Sequence, residues 1–548
     1  MKLKHINFWC LWIIFLIGTI LRFYQLGALP QSINRDEAAL GYNAFALIET
    51  GKDEFSEAYP LTFKSFGDYK LPLYIYGSMP FVKVFGLSNF SIRLLSAVIG
   101  SISILTIYFL GIELFKKKSV GLIASGSLAI SPWAVFYSRT AFETNLATGI
   151  FAISMLLFLK SREKPWLLIP ASLSIVLSLF AYNNPYIVGP ILILLLLVLN
   201  KAVFLQKNHR LKVLLAVIIL LIGSYLAIQT VWGVNQAKSR ITIFSNPDLR
   251  EEFASYRGAH GKLGGDWLSS SFGNLVSKVV DNQYVFYLQI LIKNILHNFS
   301  PQFLLSRDSR HIWSGIPGIG HFYIIDYFFL IFGIYFLFKK AKRFEKFFVL
   351  TWLVAGVMPS ALTIDQAHPN RSLLAFFIIH ILIAVGIYSA VGLVAKRWFK
   401  ISVLIIYCWS LLFFIDRYFF HFAHEPGPGW YPNLKEVFWE INNTTHDRLV
   451  LTSPFEEVHI YYLFYSQYSP QTYQDSVVRT IDADGFYQVH SYGNVSVVND
   501  RYQERTPLND DGAVVVFGAS DDSYFQQNSE FEKKFTSTKD LDFVYKIY

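Results

Sequence analysis

Long apolar segments recur along most of this chain, and they constrain its fold more than any other feature. The run from Ile191 to Leu199 consists of nine residues, all of them Ile, Leu or Val. Of the 548 residues, 53% are hydrophobic and only 16% are charged. A stretch of about 20 apolar residues is long enough to cross a bilayer as a helix. The sequence therefore predicts a polytopic α-helical membrane protein.

Counting stretches of this length predicts about eleven transmembrane helices. They cover approximately residues 6–26, 92–115, 119–136, 143–160, 165–183, 185–200, 211–232, 322–338, 347–363, 372–394 and 401–420. We expect the first to be retained, because lysines precede it and no small-residue cleavage site follows it. The loops rich in lysine and arginine all fall on the side of the N-terminus, which the positive-inside rule makes cytoplasmic. The prediction is a multi-pass protein of the cell (plasma or inner) membrane.

The net charge and the cysteines exclude several other classes of protein. Much of the formal charge of +9 lies in the short basic loops, so it indicates membrane orientation rather than a nucleic-acid partner. Cys10 and Cys408 both fall inside predicted membrane helices, and no disulfide framework is expected. The sequence has no Walker or dinucleotide-binding glycine signature, which argues against a nucleotide-driven pump.

The end of the chain has a different pattern. Its apolar runs shorten to strand length at 448–452, 512–517 and 543–547, with polar turns between them and helical spacing of aromatics over 456–468. The pattern predicts a small α/β extracytoplasmic domain over residues 421–548, after a transmembrane domain over residues 1–420. The first outward segment, residues 27–90, is expected to form interfacial helices that lie along the membrane surface.

Carboxylates follow the first and the third apolar segments. Asp36 and Glu37 come after the first segment and Glu143 after the third, so all three face the same outward side. A charge beside hydrocarbon is costly and usually marks function. A carboxylate in this place is suited to accept the proton of an attacking hydroxyl. Two structural alternatives are open: Asp36 as a helix cap, and Glu143 as the ion-pair partner of Arg139.

Basic residues lie on the same side, near the predicted membrane ends. They are Lys70, Arg139, Arg240 and Arg371. Such cations could hold a lipid-linked phosphate, or each could be a solvated anchor. His368, Arg307 and Asp308 are further candidates for lining the site. No histidine or cysteine spacing is typical of a metal site, so no cofactor is predicted with certainty and a divalent metal stays an open alternative.

These motifs resemble those of the GT-C glycosyltransferases. The residues that carry the resemblance are Asp36 to Ala38, Lys70 to Tyr74, Tyr137 to Glu143, and the later loop from His368 to Arg371. The group they resemble is glycosyltransferase family 39 and its relatives. It contains protein O-mannosyltransferases, aminoarabinose lipid A transferases and lipopolysaccharide galacturonosyltransferases. The resemblance covers roughly residues 1–400 and is strongest over 20–160.

The resemblance implies a GT-C-like fold and an inverting transfer of a hexose or pentose. The donor would be a polyprenyl-phosphate sugar, and the acceptor an extracytoplasmic lipid, glycan or protein. Asp36 would be the general base, Lys70 would help to hold the carrier phosphate, and Arg139 and Glu143 would belong to the second outward motif. Leu71, which stands before the proline of the lysine motif, departs from the family pattern. A lipid or glycan flippase and an oligosaccharyltransferase or ligase are the alternative functions.

Overall fold

The computed structural model describes most of the chain. The described residues are 2–548 without 233–240, 264–277, 280–281, 307–312, 423–429, 432–433, 444–448, 454–456, 483–485, 500–512, 518–532, 537–541 and 547–548. The first helices are α1 (Lys2–Phe23), α2 (Arg35–Thr50), α3 (Pro72–Phe85), α4 (Asn89–Phe115), α5 (Lys118–Ile130), α6 (Pro132–Ser138), α7 (Glu143–Lys160), α8 (Leu168–Leu179) and α9 (Asn184–Leu199). A short hairpin of β1 (Phe63–Ser65) and β2 (Asp68–Lys70) precedes α3.

Further helices complete the membrane part of the protein. They are α10 (Lys201–Phe204), α11 (Lys207–Trp232), α12 (Pro247–Leu263), α13 (Gln283–His297), α14 (Pro301–Leu305), α15 (Ile324–Lys340), α16 (Arg343–Ala361), α17 (Pro369–Val394) and α18 (Arg397–Ile415). A π-helical turn over Asp416–His421 continues α18. Each of the eleven apolar segments predicted from the sequence overlaps at least one of these helices.

Six helices in the described part of the chain are long and apolar enough to cross a membrane. They are Asn89–Phe115, Glu143–Lys160, Lys207–Val231, Arg343–Ala361, Pro369–Val394 and Arg397–His421. Helices α5 and α6 pass the same test as a pair, with a bend of 60° between them. The predicted helical membrane protein is therefore confirmed. The number of eleven crossings and the orientation of the termini stay predictions.

Helix α17 forms the centre of the bundle. In its most apolar window, 89% of the residues are buried. It crosses α15 at two glycines, where the backbones touch. A Cβ atom at Gly333 would overlap the carbonyl oxygen of Leu382, and one at Gly386 would overlap that of Phe329. The small residues thus allow the close helix contact that packing in a membrane requires.

The C-terminal part contains a mixed sheet flanked by short helices. Its elements are α19 (Leu434–Asn442), β3 (Leu449–Ser453), α20 (Val458–Tyr465), α21 (Pro470–Ser476), β4 (Val478–Ile481), β5 (Tyr487–Tyr492), β6 (Val495–Asn499), β7 (Ala513–Phe517), β8 (Lys533–Thr536) and β9 (Asp542–Lys546). The strand order is β4-β5-β6-β3-β7-β9-β8, and β3 runs parallel to both of its neighbours. The three strands expected from the sequence correspond to β3, β7 and β9. The division of the chain at residue 421 and the outward location of this domain stay proposals.

Helix α2 packs between the membrane part and the C-terminal domain. One hydrophobic core contains Ala38 and Tyr42 of α2 together with Tyr461 and Phe464 of α20. The contact is so close that a Cβ atom at Gly41 would overlap the ring of Phe464. The C-terminal domain therefore covers part of α2, a contact that was not predicted, and the location of α2 along the membrane surface stays a prediction. The long separation of the two segments along the chain hid this contact.

Candidate active site

The first turn of α2 shows how Asp36 is presented. The side chain of Asn34 accepts a hydrogen bond from the backbone N–H of Glu37 at 2.9 Å. In return, the backbone N–H of Asn34 donates to Oε2 of Glu37 at 3.1 Å. This reciprocal pair is a capping box, which satisfies two N–H groups at the start of the helix. Asn34 therefore caps α2, and the alternative that Asp36 is the cap is wrong.

Asp36 forms an ion pair with Lys70. The distance between Oδ1 of Asp36 and Nζ of Lys70 is 2.9 Å. The hairpin places Lys70, because this residue ends β2 and pairs with Phe63 of β1. The side chain of Lys70 is 13% exposed and that of Asp36 is 35% exposed, so a second molecule can reach the carboxylate. The two sequence motifs that carry these residues therefore meet in space.

Glu143 lies close to this pair. It is the first residue of α7 and is almost completely buried. Burial alone would lower the pKa of Lys70, but attraction to Asp36, to Glu143 and to Asp68 outweighs burial and raises the pKa above its ordinary value. Lys70 is therefore a permanent cation among carboxylates. If an additional anion binds to Lys70, the positive charge of the lysine is shared between that anion and these carboxylates.

The first turn of α17 brings Arg371 near the start of α7. The carbonyl oxygen of Asn370 accepts hydrogen bonds from Oγ1 of Thr144 at 2.7 Å and from Nδ2 of Asn184 at 2.9 Å. Thr144 directly follows Glu143, so these bonds tie the first turn of α17 to the start of α7. The guanidinium of Arg371 donates to Oγ1 of Thr363 at 2.8 Å and to the carboxylate of Asp365. Arg371 is thus a second oriented cation near the carboxylates.

Tyr182 lies near both cations and was not predicted from the sequence. It is half-buried, and its hydroxyl lies within electrostatic reach of Arg371, Glu143 and Lys70. A signal was present in the sequence, because a polar turn follows the fifth apolar segment on the outward side. An aromatic hydroxyl among these charges can donate to a phosphate or to a sugar oxygen.

The other candidate residues lie at the edge of the site or outside the described residues. His368 is the N-cap residue of α17, and its backbone N–H donates to Oγ of Ser360 at 2.7 Å. Its position beside Arg371 agrees with its prediction as a site-lining residue, which stays a prediction. Arg240, Arg307 and Asp308 all fall outside the described part of the chain.

Glu37 has a different environment from Asp36. Its Oε1 accepts from Nε of Arg93 at 2.9 Å, and both side chains are 0% exposed. The same oxygen accepts from the backbone N–H of Ala141 at 2.7 Å. These contacts join α2, α4 and the segment that leads into Glu143. Because every contact is internal and water is excluded, the geometry supports a positioning role for Glu37 rather than proton transfer.

Arg139 is enclosed as well. Its Nε donates to the hydroxyl of Tyr418 at 3.0 Å, and its Nη1 donates to the carbonyl oxygens of Leu21 at 2.9 Å and Tyr24 at 2.7 Å. Its Nη2 donates to two further carbonyl oxygens, and the residue is 0% exposed. Since these donors are already used, a phosphate cannot reach them. This geometry contradicts both the phosphate-binding role predicted for Arg139 and its pairing with Glu143.

The donor atoms of the site do not resemble a metal centre. Among the described residues, no group of three or more His, Cys, Asp and Glu residues is arranged to hold a metal ion. A lysine ammonium lies between the carboxylates and already supplies the positive charge there. No step of the reaction is therefore assigned to a metal ion.

Comparison with known proteins identifies the architecture. The family model described as dolichyl-phosphate-mannose-protein mannosyltransferase matches residues 71–227, which is less than half of the chain. The structure resembles ArnT from Cupriavidus metallidurans bound to undecaprenyl phosphate, with a TM-score of 0.54 and 10% identity over 97% of each chain. The chain has the GT-C fold. The resemblance to GT-C glycosyltransferases predicted from the motifs is confirmed.

A second GT-C structure shares a smaller part of its length with this chain. It is the archaeal oligosaccharyltransferase AglB from Archaeoglobus fulgidus in complex with an inhibitory peptide and a dolichol-phosphate, with a TM-score of 0.50 and 15% identity. The match covers 84% of this chain and 64% of AglB. No curated protein sequence matches the chain. At these identities the structural likeness establishes the GT-C fold alone.

Proposed function

We propose that this protein is an inverting glycosyltransferase that uses a polyprenyl-phosphate sugar as its donor. The sugar would pass to an extracytoplasmic lipid, glycan or protein acceptor at the outer face of the membrane. The observation that carries the proposal is the ion pair between Asp36 and Lys70, with Glu143 beside it at the rim of a GT-C helix bundle. It places a proton acceptor and a phosphate-binding cation within one hydrogen bond of each other.

The reaction needs one bond to form, one to break and one proton to move. The acceptor oxygen forms a bond to the anomeric carbon as the bond from that carbon to the phosphate oxygen breaks. The phosphate leaves with the electron pair of the broken bond and keeps the lipid. The proton of the acceptor hydroxyl passes to the carboxylate of Asp36. A phosphate leaves without being protonated, so a single base suffices.

Asp36 is favoured over Glu143 as this base because of its accessibility. Its side chain is 35% exposed, whereas Glu143 is 6% exposed. A general base must come within hydrogen-bond distance of the proton that it removes. Glu143 contributes negative charge that holds Lys70 in place.

Lys70 and Arg371 are the proposed ligands of the donor phosphate. Both are on the rim that contains Asp36, and both already hold carboxylates through ion pairs. A phosphate could replace Asp365 as a partner of the Arg371 guanidinium, which is planar and suits two parallel hydrogen bonds. Tyr182 lies within electrostatic reach of both cations and would contact the phosphate or the first sugar. The carriers named in the ArnT and AglB structures, undecaprenyl phosphate and dolichol-phosphate, have this chemistry.

Buried charges inside the bundle argue against a transporter. Three of them are Arg22, Arg93 and Asp326, each 1% exposed or less. A translocation path would need such groups to face a water-filled cavity. Arg22 instead donates to the carbonyl oxygen of Ala129 at 2.9 Å, and Asp326 accepts from the hydroxyl of Tyr407 at 2.6 Å. Arg93 pairs with a buried carboxylate. These groups therefore hold helices together.

The proposal is tested by transfer from a synthetic donor. Purified full-length protein in detergent is incubated with polyprenyl-phosphate sugars that differ in the sugar, and with envelope lipids, glycans and proteins as acceptors. Mass spectrometry then measures the glycosylated product and the released polyprenyl phosphate. We expect both products in equal amounts for at least one donor. With the protein reconstituted into lipid vesicles, movement of the intact donor across the membrane without its cleavage would favour a flippase. Transfer of a whole oligosaccharide would favour a ligase.

Replacement of the phosphate ligands is expected to raise the donor concentration that the enzyme needs. Lys70→Ala and Arg371→Ala each remove a charge-assisted contact, which contributes about 1.5–3 kcal/mol. The KM for the donor should therefore rise by about one to two orders of magnitude, and turnover should fall as well if the contact strengthens in the transition state. Steady-state kinetics with varied donor concentration measures both effects.

Lys64→Ala is the matched control for this experiment. Lys64 lies in the same hairpin, and its partner is Glu57 at the surface, at 3.5 Å. The control removes the same charge from β1 without touching the site, so its KM should equal that of the unaltered protein. An unchanged KM in both Lys70→Ala and Arg371→Ala would place the phosphate elsewhere, with Arg240 as the next candidate.

We also propose that the C-terminal domain helps to orient the start of α2. Nη1 of Arg35 donates to Oε2 of Glu457 at 2.9 Å, and the Glu457 side chain is 7% exposed. Arg35 immediately precedes Asp36. Glu457→Gln should therefore lower turnover by about two- to fivefold, the range expected for a partly exposed ion pair, with the donor KM unchanged. The exposed residue Glu436 in α19 provides the control Glu436→Gln, and equal turnover in both variants would refute this role.

A further inference from the structure

A cavity lies at the end of the bundle opposite to the candidate active site, on the predicted cytoplasmic side. It has a volume of about 220 Å³ and opens where α4 ends, where α5 and α16 begin, and beside α15 and α17. Its apolar wall includes Leu114, Val120, Phe336 and Val385. The cavity thus joins the first helices of the bundle to the last, and no step of the proposed transfer uses it.

Four lysines and a single glutamate provide the charged groups of the lining. The lysines are Lys116, Lys117, Lys340 and Lys342. All four are exposed, and Glu345 is the carboxylate among them. Nζ of Lys117 donates to the hydroxyl of Tyr388 at 2.9 Å, which fixes this ammonium at the cavity. Lys116 pairs with Glu113 at 2.9 Å, so its charge is partly offset. The cavity nevertheless has an excess of positive charge.

Two helix N-termini add to this positive charge. Lys117 is the N-cap residue of α5 and Lys342 is that of α16, and neither cap makes a side-chain hydrogen bond. The first backbone N–H groups of a helix have no acceptor within the helix, and the helix dipole favours an anion there. An N-cap residue usually offers a carboxylate or hydroxyl oxygen to these N–H groups. Here both N-cap residues are lysines, which have no such oxygen. An external anion would satisfy these N–H groups.

We propose that this cavity binds an anionic phospholipid from the cytoplasmic leaflet. The phosphate would lie among the lysines and the two helix N-termini, and an acyl chain would follow the apolar wall formed by Phe336 and Val385. A basic rim above an apolar wall at a membrane boundary matches both parts of such a lipid. A free phosphate would use only the rim. The bound lipid would link α4 and α5 to α15, α16 and α17.

The test measures lipid binding to the full-length protein in detergent. Phosphatidylglycerol, phosphatidylcholine and inorganic phosphate are titrated separately, with native mass spectrometry for binding and thermal unfolding for stability. We expect phosphatidylglycerol to bind and to raise Tm, and the other two to do neither. Lys117→Ala combined with Lys342→Ala should weaken phosphatidylglycerol binding by about tenfold to thirtyfold, because each lysine near a lipid surface contributes about 1 kcal/mol.

Lys201→Ala combined with Lys207→Ala is the matched control. Both lysines are exposed and lie on the same predicted side, outside the cavity. The control removes the same charge and should bind phosphatidylglycerol as the unaltered protein does. Equal weakening in both double variants would mean a general basic surface and would overturn the proposal. Equal stabilisation by inorganic phosphate would overturn it too. If the first double variant does not fold, Lys342→Ala alone is compared with Lys201→Ala by the same criterion.

Discussion

Asp36→Asn is expected to lower the rate of sugar transfer by about two to four orders of magnitude, the usual effect of removing a general base. The amide has nearly the shape of the carboxylate but cannot take up the acceptor proton. Asn34 and Glu37 cap α2 without Asp36, so the helix should still form. Lys70 loses its partner at 2.9 Å, but other carboxylates still surround it. Donor binding should therefore persist while turnover falls.

The measurement is single-turnover transfer at saturating donor, with expression and Tm as checks of folding. Asp68→Asn is the matched control, because Asp68 also attracts Lys70 and the change in charge is the same. Asp68 lies on the hairpin, where its Oδ1 accepts from the backbone N–H of Tyr69 at 2.7 Å. We expect the control to keep transfer within a few-fold. If Asp36→Asn transfers as well as Asp68→Asn does, Asp36 is not the base, and Glu143→Gln becomes the next variant to test.

The position of the site could be predicted from the sequence because a membrane restricts where loops can go. Segments that follow odd-numbered crossings are predicted to share one face, so Asp36 and Glu143 were expected on the same side of the membrane although 107 positions separate them in the sequence. Lys70 and Arg371 were found by the same reasoning, which needs no side-chain detail. The prediction of helices was equally secure, since apolar length decides it.

The roles of neighbouring residues could not be predicted in this way. Asp36 and Glu37 are adjacent and chemically alike, but their side chains point to opposite environments. The partner of Glu37 is 56 positions away in a segment predicted to be an ordinary membrane helix. Arg139 resembles a phosphate ligand in the sequence, and its acceptors are backbone carbonyl groups, which every residue possesses. Sequence patterns contain no signal for such contacts, because they depend on how the helices pack.

The buried pair of Glu37 and Arg93 leads to the second large expected effect. Arg93→Met should destabilise the protein by about 3–5 kcal/mol, because it leaves the carboxylate of Glu37 buried without its counter-charge. The N–H groups of Asn34 and Ala141 still reach that carboxylate, but they cannot neutralise it. Chemical or thermal unfolding in detergent measures the loss. Arg162→Met is the control, since Arg162 pairs with Glu113 at the partly exposed edge of the bundle and its loss should cost less than about 1 kcal/mol.

The double variant Glu37→Gln with Arg93→Met separates folding from positioning. It removes both charges, so much of the stability lost in Arg93→Met should return, and a double-mutant cycle gives the coupling between the two side chains. Transfer should stay impaired even so, because an amide accepts the hydrogen bond from the N–H of Ala141 less strongly than a carboxylate does. This hydrogen bond positions the segment that leads into Glu143. If the double variant regains both stability and transfer, the pair serves folding alone. If Arg93→Met is as stable as the unaltered protein but inactive, the pair belongs to the reaction, and Glu37 must be reconsidered as the base.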